Sequence, residues 1–441
     1  MSRLILVVGL AVASGAVALP AAEPASGRPH RRPYPSPLGL AVDRAGRHAY
    51  VALHGADTLA VVDLAGGTVL KEIAVGQQPH DVVLAPGTAS VTCEGEDQVV
   101  AIDLARGEVR RRLPTGQAPR GLAVTTTGSR LYVACRDSAV LNWRDGEDGP
   151  VHSLTLPFAP DRLALTPDGQ TLFVLPAEGG PAVIGVISAD PVPTFRQQIP
   201  LSRAGNLRGL AVTSHACLIA HQRPRAHIPT TQVAQGWIFT NALSRLRLPL
   251  TAPGEPTPLA AILDEPQRGF ADPSDVVLTP DGRRAFVACA GADMVLAVDL
   301  ARLDRYHASY PAPTAPGAAA NRYESPAVDD LTASRRYIVA RLPTGSNPRR
   351  LALSGDGQTL VVSNHLGDSL SVFDAVQLRL VRHIPLGQSP ADAARRGEIL
   401  FHSDRLTFLR QFTCASCHPN GAADGLNWDL TRDGVGTFKN T

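Results

Sequence analysis

Near the C-terminus the chain reads Cys414-Ala415-Ser416-Cys417-His418, a C-x-x-C-H run. Two thiols at this spacing with an imidazole directly behind the second are the pattern for covalent attachment of a c-type haem. The thiols add across the porphyrin vinyl groups as thioethers, and the neighbouring imidazole reaches the iron as an axial nitrogen. This reading assigns Cys414 and Cys417 to attachment of one haem c and His418 to its iron, and assigns no residue to catalysis. A structural zinc site needs two further Cys or His ligands at short spacing, and none follows. A redox dithiol calls for a βαβ setting, which this segment lacks.

The second axial position is less defined. Met294 is the only methionine besides Met1, and no histidine follows His418. His402 reads as a packing or surface residue, which leaves His365, His54 and His80 as the histidines that folding could bring to the iron. The other end of the chain agrees with haem attachment outside the cytoplasmic membrane. Arg3 precedes an apolar and small-residue run from Leu4 to Leu19, with small residues up to Ala22. That is the pattern of a secretory signal, and it is short for an anchor and lacks a basic stop-transfer block. Residues 1–22 are thus expected to be a signal peptide and 23–35 a linker, in a periplasmic or otherwise exported protein with no membrane span.

Elements to position such a site must come from the remaining bulk of the 441 residues. A formal net charge of +2, evenly spread, argues against nucleic acid or an anionic membrane surface as partner. The 39 Gly and 37 Pro among many short β-rich runs point to a turn-dense all-β body. A phrase beginning at Pro37 returns at Pro79, Pro119 and Pro160, at intervals of 42, 40 and 41 residues, and again at Pro273 and Pro348. A degenerate copy is Leu207-Arg208-Gly209-Leu210. Within each unit a tight turn such as Pro167-Asp168-Gly169 leads to a second strand such as Leu131-Tyr132-Val133-Ala134. A third strand ends in Asp63, Asp103, Asp299 or Asp374, and a fourth closes at Gly76, Gly116, Gly345 or Gly387. Recurrence at one turn marks those aspartates as backbone-bonding rather than catalytic. A period near 40 with four strands per unit predicts a seven-bladed β-propeller over 36–388, with two units enlarged by insertions at 222–272 and 303–335.

Strand order predicts that the starts of first strands and the ends of second strands share one face. That face would carry His80, Arg120, Asp161, Arg208, Ser274 and Arg349, together with His54, Cys93, Glu94, Cys135, Arg136, His221, Cys289, Asn364 and His365. The insertion after His221, with Thr230, Thr231, Gln232, Gly236 and Trp237, should lie there too, and the insertion at 303–335 on the opposite side. Single cysteines at such positions ordinarily fill small apolar slots, and irregularly placed histidines do not make the dense ring of a copper cluster.

These phrases resemble YVTN-type propeller repeats. The final segment, 389–441, predicts a small helical cytochrome c-type module, opening with Ser389 as cap, Pro390, and a helix from Ala391 to Phe401. Arg396-Gly397-Glu398-Ile399-Leu400-Phe401, Asp404-Arg405-Leu406-Thr407 and Phe412-Thr413-Cys414-Ala415-Ser416-Cys417-His418 resemble the first haem segment of bacterial di-haem cytochrome c peroxidases. The tail Ala423-Asp424-Gly425-Leu426 with Lys439-Asn440-Thr441 fits that family as well. Its members carry a second CxxCH, whereas this sequence stops 23 residues after His418, so the module is expected to be incomplete. The resemblance implies an exported electron-transfer haem protein, part of a di-haem peroxidase-like oxidoreductase. Arg405 and Trp428 would support the haem. Partners would be a redox protein or small electron donor, plus a protein or ligand at the face carrying His54, His80, Arg120, Arg349 and His365. The alternative is a non-enzymatic propeller scaffold with a structural or vestigial haem.

Overall fold

The computed structural model describes residues 34–225, 237–250, 258–309, 330–387 and 391–421, with a short strand pair at 427–428 and 438–439. The expected signal peptide, Ser389 with Pro390, residues 423–426, Asn440 and Thr441 lie outside the described residues, as do the side chains of Trp428 and Lys439. Seven four-stranded antiparallel sheets, at 37–74, 79–114, 119–155, 160–200, 205–262, 273–343 and 348–385, are the seven expected blades. Strands A to D of each blade run in sequence order. The A strands of successive blades touch one another all the way round, and blade 7 meets blade 1, so they line a central channel.

Alternation fixes what each strand buries. The D strands Thr68–Ala74, Glu108–Pro114 and Thr194–Pro200 are mostly exposed, with one buried apolar residue each. The B and C strands are buried nearly throughout. Their apolar side chains meet between blades: Tyr50 and Leu59 of blade 1 pack with Val82 and Val91 of blade 2, and Val51 with Leu370 across the seam. No blade holds a core of its own, so stability comes from stacking.

A polar latch repeats across these interfaces. Asp57, Asp97, Asp293 and Asp368 sit in the left-handed region after strand B, with φ of 61°, 52°, 53° and 45°. Their carboxylates accept from the backbone N–H of Gln78, Ala118, Asn347 and Ser36, each the residue before the next A-strand proline, at 2.8–2.9 Å. A short polar side chain adopts that conformation at lower cost than alanine, which nevertheless takes the equivalent place in blade 3 at Ala139, with φ of 51°. Asp57→Ala is therefore expected to cost about 1–2 kcal/mol in urea unfolding, with Asp57→Asn close to wild type. The strand-C aspartates Asp63, Asp103, Asp299 and Asp374 bond the local backbone, as their recurrence implied.

The insertion after blade 6 strand C contains α1 (Leu300–Ala308) and α2 (Ser334–Tyr337); residues 310–329 lie outside the described residues. Because each blade is one contiguous stretch, the seam exchanges no strand. It is held by Ser363 Oγ donating to Leu38 O (3.1 Å), by the Asp368 latch, and by α3 (Ala393–Phe401) of the C-terminal segment. Asp392, not Ser389, caps α3, accepting from Arg395 N at 2.8 Å, so the helix starts two residues later than expected. The buried Arg395 guanidinium bonds His365 O and Asp368 Oδ1, both at 2.9 Å, and stacks 4.8 Å from the Tyr34 ring. One side chain thus clasps the first and last blades.

Candidate functional site at the channel mouth

The residues after the A-strand prolines do gather at one mouth. Arg120 is engaged by Asp161 Oδ1 and Glu94 Oε1 at 3.0 Å each. Arg208, nearly fully buried, reaches Glu178 Oε1 at 2.8 Å and Asp272 Oδ1 at 3.0 Å. His54 Nδ1 and His365 Nδ1 donate to Pro79 O and Pro37 O at 3.3 and 3.2 Å, so each imidazole bonds the start of the following blade. Burial, reinforced by Arg120, Arg162 and Arg349, holds His80 well below its usual range. Burial and Arg349 do the same to His365, and burial pushes His402 down to about 4. All three are neutral at pH 7. Deeper in the channel, Arg350 lies 3.3 Å from Asp81 and 4.0 Å from Asp275. Burial there raises Asp81 to about 6 and Asp275 to about 7. A cavity of about 600 Å³, lined by Leu40, Asp81, Leu122, Asp275 and Arg350, occupies this lower half.

Four expected members of the face are buried instead, His221 and three cysteines. Strand B of blade 5 runs on to Pro224, so His221 sits inside the sheet, 1% exposed, between Gln222 O (2.9 Å) and Ser244 Oγ (2.8 Å). Burial pushes it down to about 4. With the folded value below the unfolded one, its stabilisation is complete above pH 6.5 and lost as the pH falls toward 4. His221→Gln should therefore remove about 2 kcal/mol of the stability lost between pH 7 and 5, read by urea unfolding at both values. The thiols of Cys93, Cys135 and Cys289 are fully buried, and burial raises the first two to about 12 and 11. They are packing atoms. A Cβ at Gly76 would lie 2.5 Å from Glu96 Oε2 and 3.1 Å from Cys93 Sγ, which accounts for a glycine at that strand-D end.

The cysteine turn docks onto this same face. Gln411 Oε1 accepts from Ile238 N at 2.9 Å, and Asn241 donates to Gln411 O at 3.1 Å. The chain then passes so close to Gly269 that a Cβ there would meet Arg410 O at 2.3 Å. In α4 (Cys414–Cys417), Ser416 Oγ donates to Asp272 Oδ1 (2.8 Å) and accepts from Gln222 Nε2 (3.1 Å), while Ser416 O accepts from Asn206 Nδ2 (2.8 Å). Thr413 Oγ1 donates to the other Asp272 oxygen. The turn thus buries Ala415 and Ser416, leaving Cys414 exposed and Cys417 and His418 half-buried. Thiols at i and i+3 of one helical turn share a face, so these residues fit a group attached on the side away from the propeller. Among the described residues no cluster of three or more His, Cys, Asp or Glu could hold a bare metal ion. Met294 is packed in the blade 6 core. Arg405 pairs with Asp293 at 3.0 Å. Asp272, Glu178, Arg162 and Gln411 were not singled out in the sequence, although Asp272 directly precedes a repeat proline.

Seven contiguous four-stranded blades with a cysteine-bearing segment folded over one mouth define a seven-bladed β-propeller protein. Its likeness to known proteins runs to hydrazine synthase and to a haem-processing dehydrogenase. Hydrazine synthase subunit beta of Kuenenia stuttgartiensis is 26% identical over 222 residues, 49% of this chain and 54% of that protein. The dihydro-heme d1 dehydrogenase of Pseudomonas aeruginosa is 35% identical over 72 residues, 16% of this chain and 15% of that protein. The matched stretches therefore span about half of the first relative and a small part of the second. The solved Kuenenia stuttgartiensis hydrazine synthase superposes with a TM-score of 0.70 at 22% identity, covering 79% of this chain and 98% of that one. A functionally unknown protein from Desulfotomaculum acetoxidans gives 0.55 at 12%, covering 77% and 95%. These likenesses establish the fold. No family model matches the chain, and no helix among the described residues is long and apolar enough to cross a membrane.

Proposed function

We propose that this chain is an exported c-type haem protein that transfers electrons, with one haem carried by Cys414 and Cys417 and ligated by His418. The observation that carries the reading is the docked turn. Its two intervening residues are buried in the propeller, and its thiols and imidazole are left on the accessible side. A haem held there would supply one-electron chemistry, tuned by its burial and axial ligands. The protein's own contribution is to fix the turn through Asp272, Asn206 and Gln222, and to hold the mouth's histidines neutral beside it. The resemblance to di-haem peroxidases extends the proposal to a peroxidase-type oxidoreductase, whose second haem this sequence does not carry.

One observation favours a second reading. The relative matched over 222 residues is named as a subunit, which suits a propeller that binds a partner, protein or ligand, at the face with His54, His80, Arg120, Arg349 and His365. The test is a pyridine haemochrome assay on protein exported by a host with working maturation machinery. One haem per chain that resists acid–acetone extraction and is reversibly reducible is expected. A colourless product ends the haem reading, and a haem that cannot be reduced leaves the scaffold.

A further inference from the structure

Charges at the mouth are matched except at one place. Arg120 has Glu94 and Asp161, and Arg208 has Glu178 and Asp272. Arg349, half-buried, makes no hydrogen bond and no ion pair within 4 Å among the described residues. It nevertheless sits where it feels Arg162 and Arg208 as well as Glu178 and Asp272, and it is the charge shared by His80, His365 and His402. Two neighbouring side chains are also left incomplete. His80 is 6% exposed, with Nδ1 buried and unpartnered. Arg162 is 8% exposed, with Nη1 buried and unpartnered.

A half-buried guanidinium with no direct partner, in the field of two others whose carboxylates are already engaged, is short of negative charge. A fork of N–H donors matches the two or three equivalent oxygens of a carboxylate or oxoanion. We propose that the channel mouth binds an anionic head group, a carboxylate or a tetrahedral oxoanion, seated on Arg349 with Arg162 and His80 completing its hydrogen bonds. This deepens the reading of the face as a ligand site and does not depend on the haem. The lower channel differs, since Arg350 already lies between Asp81 and Asp275.

The same chemistry has two sources: a free small anion, or a carboxylate side arm of a haem attached at the nearby turn, which Asp272 links to this cluster. Sulfate and succinate are therefore titrated calorimetrically, in chloride buffer at low ionic strength, into the haem-loaded protein and into Cys414→Ala/Cys417→Ala. Binding to the loaded protein identifies a free anion. Binding only to the cysteine variant shows that the haem's own carboxylate fills the site. In whichever form binds, Arg349→Gln should weaken it about ten- to hundredfold. Arg349→Lys should retain part of the affinity, so a folding failure of one variant leaves the other to decide. A purely structural arginine would destabilise the fold when lost, whereas Arg349→Gln is expected to raise the anion-free melting temperature by relieving repulsion. No binding of either probe to either form overturns the proposal, as does undiminished binding by both variants. The haem reading is untouched by that failure, because the haemochrome assay decides it separately.

Discussion

Asp272→Ala is expected to lower unfolding stability by about 3–5 kcal/mol, because it leaves the Arg208 guanidinium buried with half its counter-charge removed. Asp272 is 2% exposed and receives Arg208 Nη1 at 3.0 Å and Ser416 Oγ at 2.8 Å, with Thr413 Oγ1 on its other oxygen. Burial acts to raise its pKa, yet Arg208 and the two hydroxyls together hold it below the ordinary carboxylate range. Its folded value lies under the unfolded one. The stabilisation is thus complete above about pH 4 and is lost as the pH falls through the native value. The substitution also removes what holds the cysteine turn. Trypsin should then cut at Arg405 and Arg410 much faster than in the wild type, while cleavage elsewhere changes less. Wild-type stability together with wild-type protection of this segment would contradict the account.

Cys414→Ala/Cys417→Ala is expected to abolish covalent haem entirely while the propeller unfolds within about 0.5 kcal/mol of the haem-free wild type. The first thiol is exposed and the second half-buried, and the bonds that seat the turn come from Ser416 and Thr413. Ser416→Val inverts the pattern. It keeps both thiols and His418 but deletes a buried hydroxyl that serves Asp272, Gln222 and Thr413 N. That should cost about 1–3 kcal/mol and leave haem attachment intact. Haem stoichiometry and denaturation midpoints on the two variants separate attachment from docking. Loss of haem in Ser416→Val, or a large destabilisation in the cysteine variant, would show that the two are not independent.

The blades were legible because most carry their own markers: a proline opening strand A, a tight turn, and an aspartate ending strand C. Blade 5 shows where such marking fails. Leu207 replaces the proline, and the B strand extends to Pro224, so the phrase length borrowed from other blades put His221 at a rim it does not reach. The shared face was also readable, since strand order brings Arg120 beside Asp161 and leaves His80 and His365 within the field of Arg349. What joins the cysteine turn to that face was not. Asp272 meets Arg208 across 64 positions and Ser416 across 144, and no local pattern encodes contacts of that span. Nor does composition distinguish a matched arginine from an unmatched one. Arg120 and Arg349 occupy equivalent places in the repeat, and only the side chains of other blades separate their roles.

The clasp made by Arg395 has a consequence for how the protein is made. The stretch that shuts the ring, by gripping Asp368 and Tyr34, is the same stretch that delivers the cysteines to blades 5 and 6. It follows all seven blades in the sequence and is synthesised after them. Until it arrives, six blade junctions can form, but the first and last blades lack their buckle and the acceptor for Ser416 has no occupant. Completion of the circle and seating of the cysteine turn are therefore one assembly step, and a molecule whose final segment has not docked carries its thiols on a loose tether.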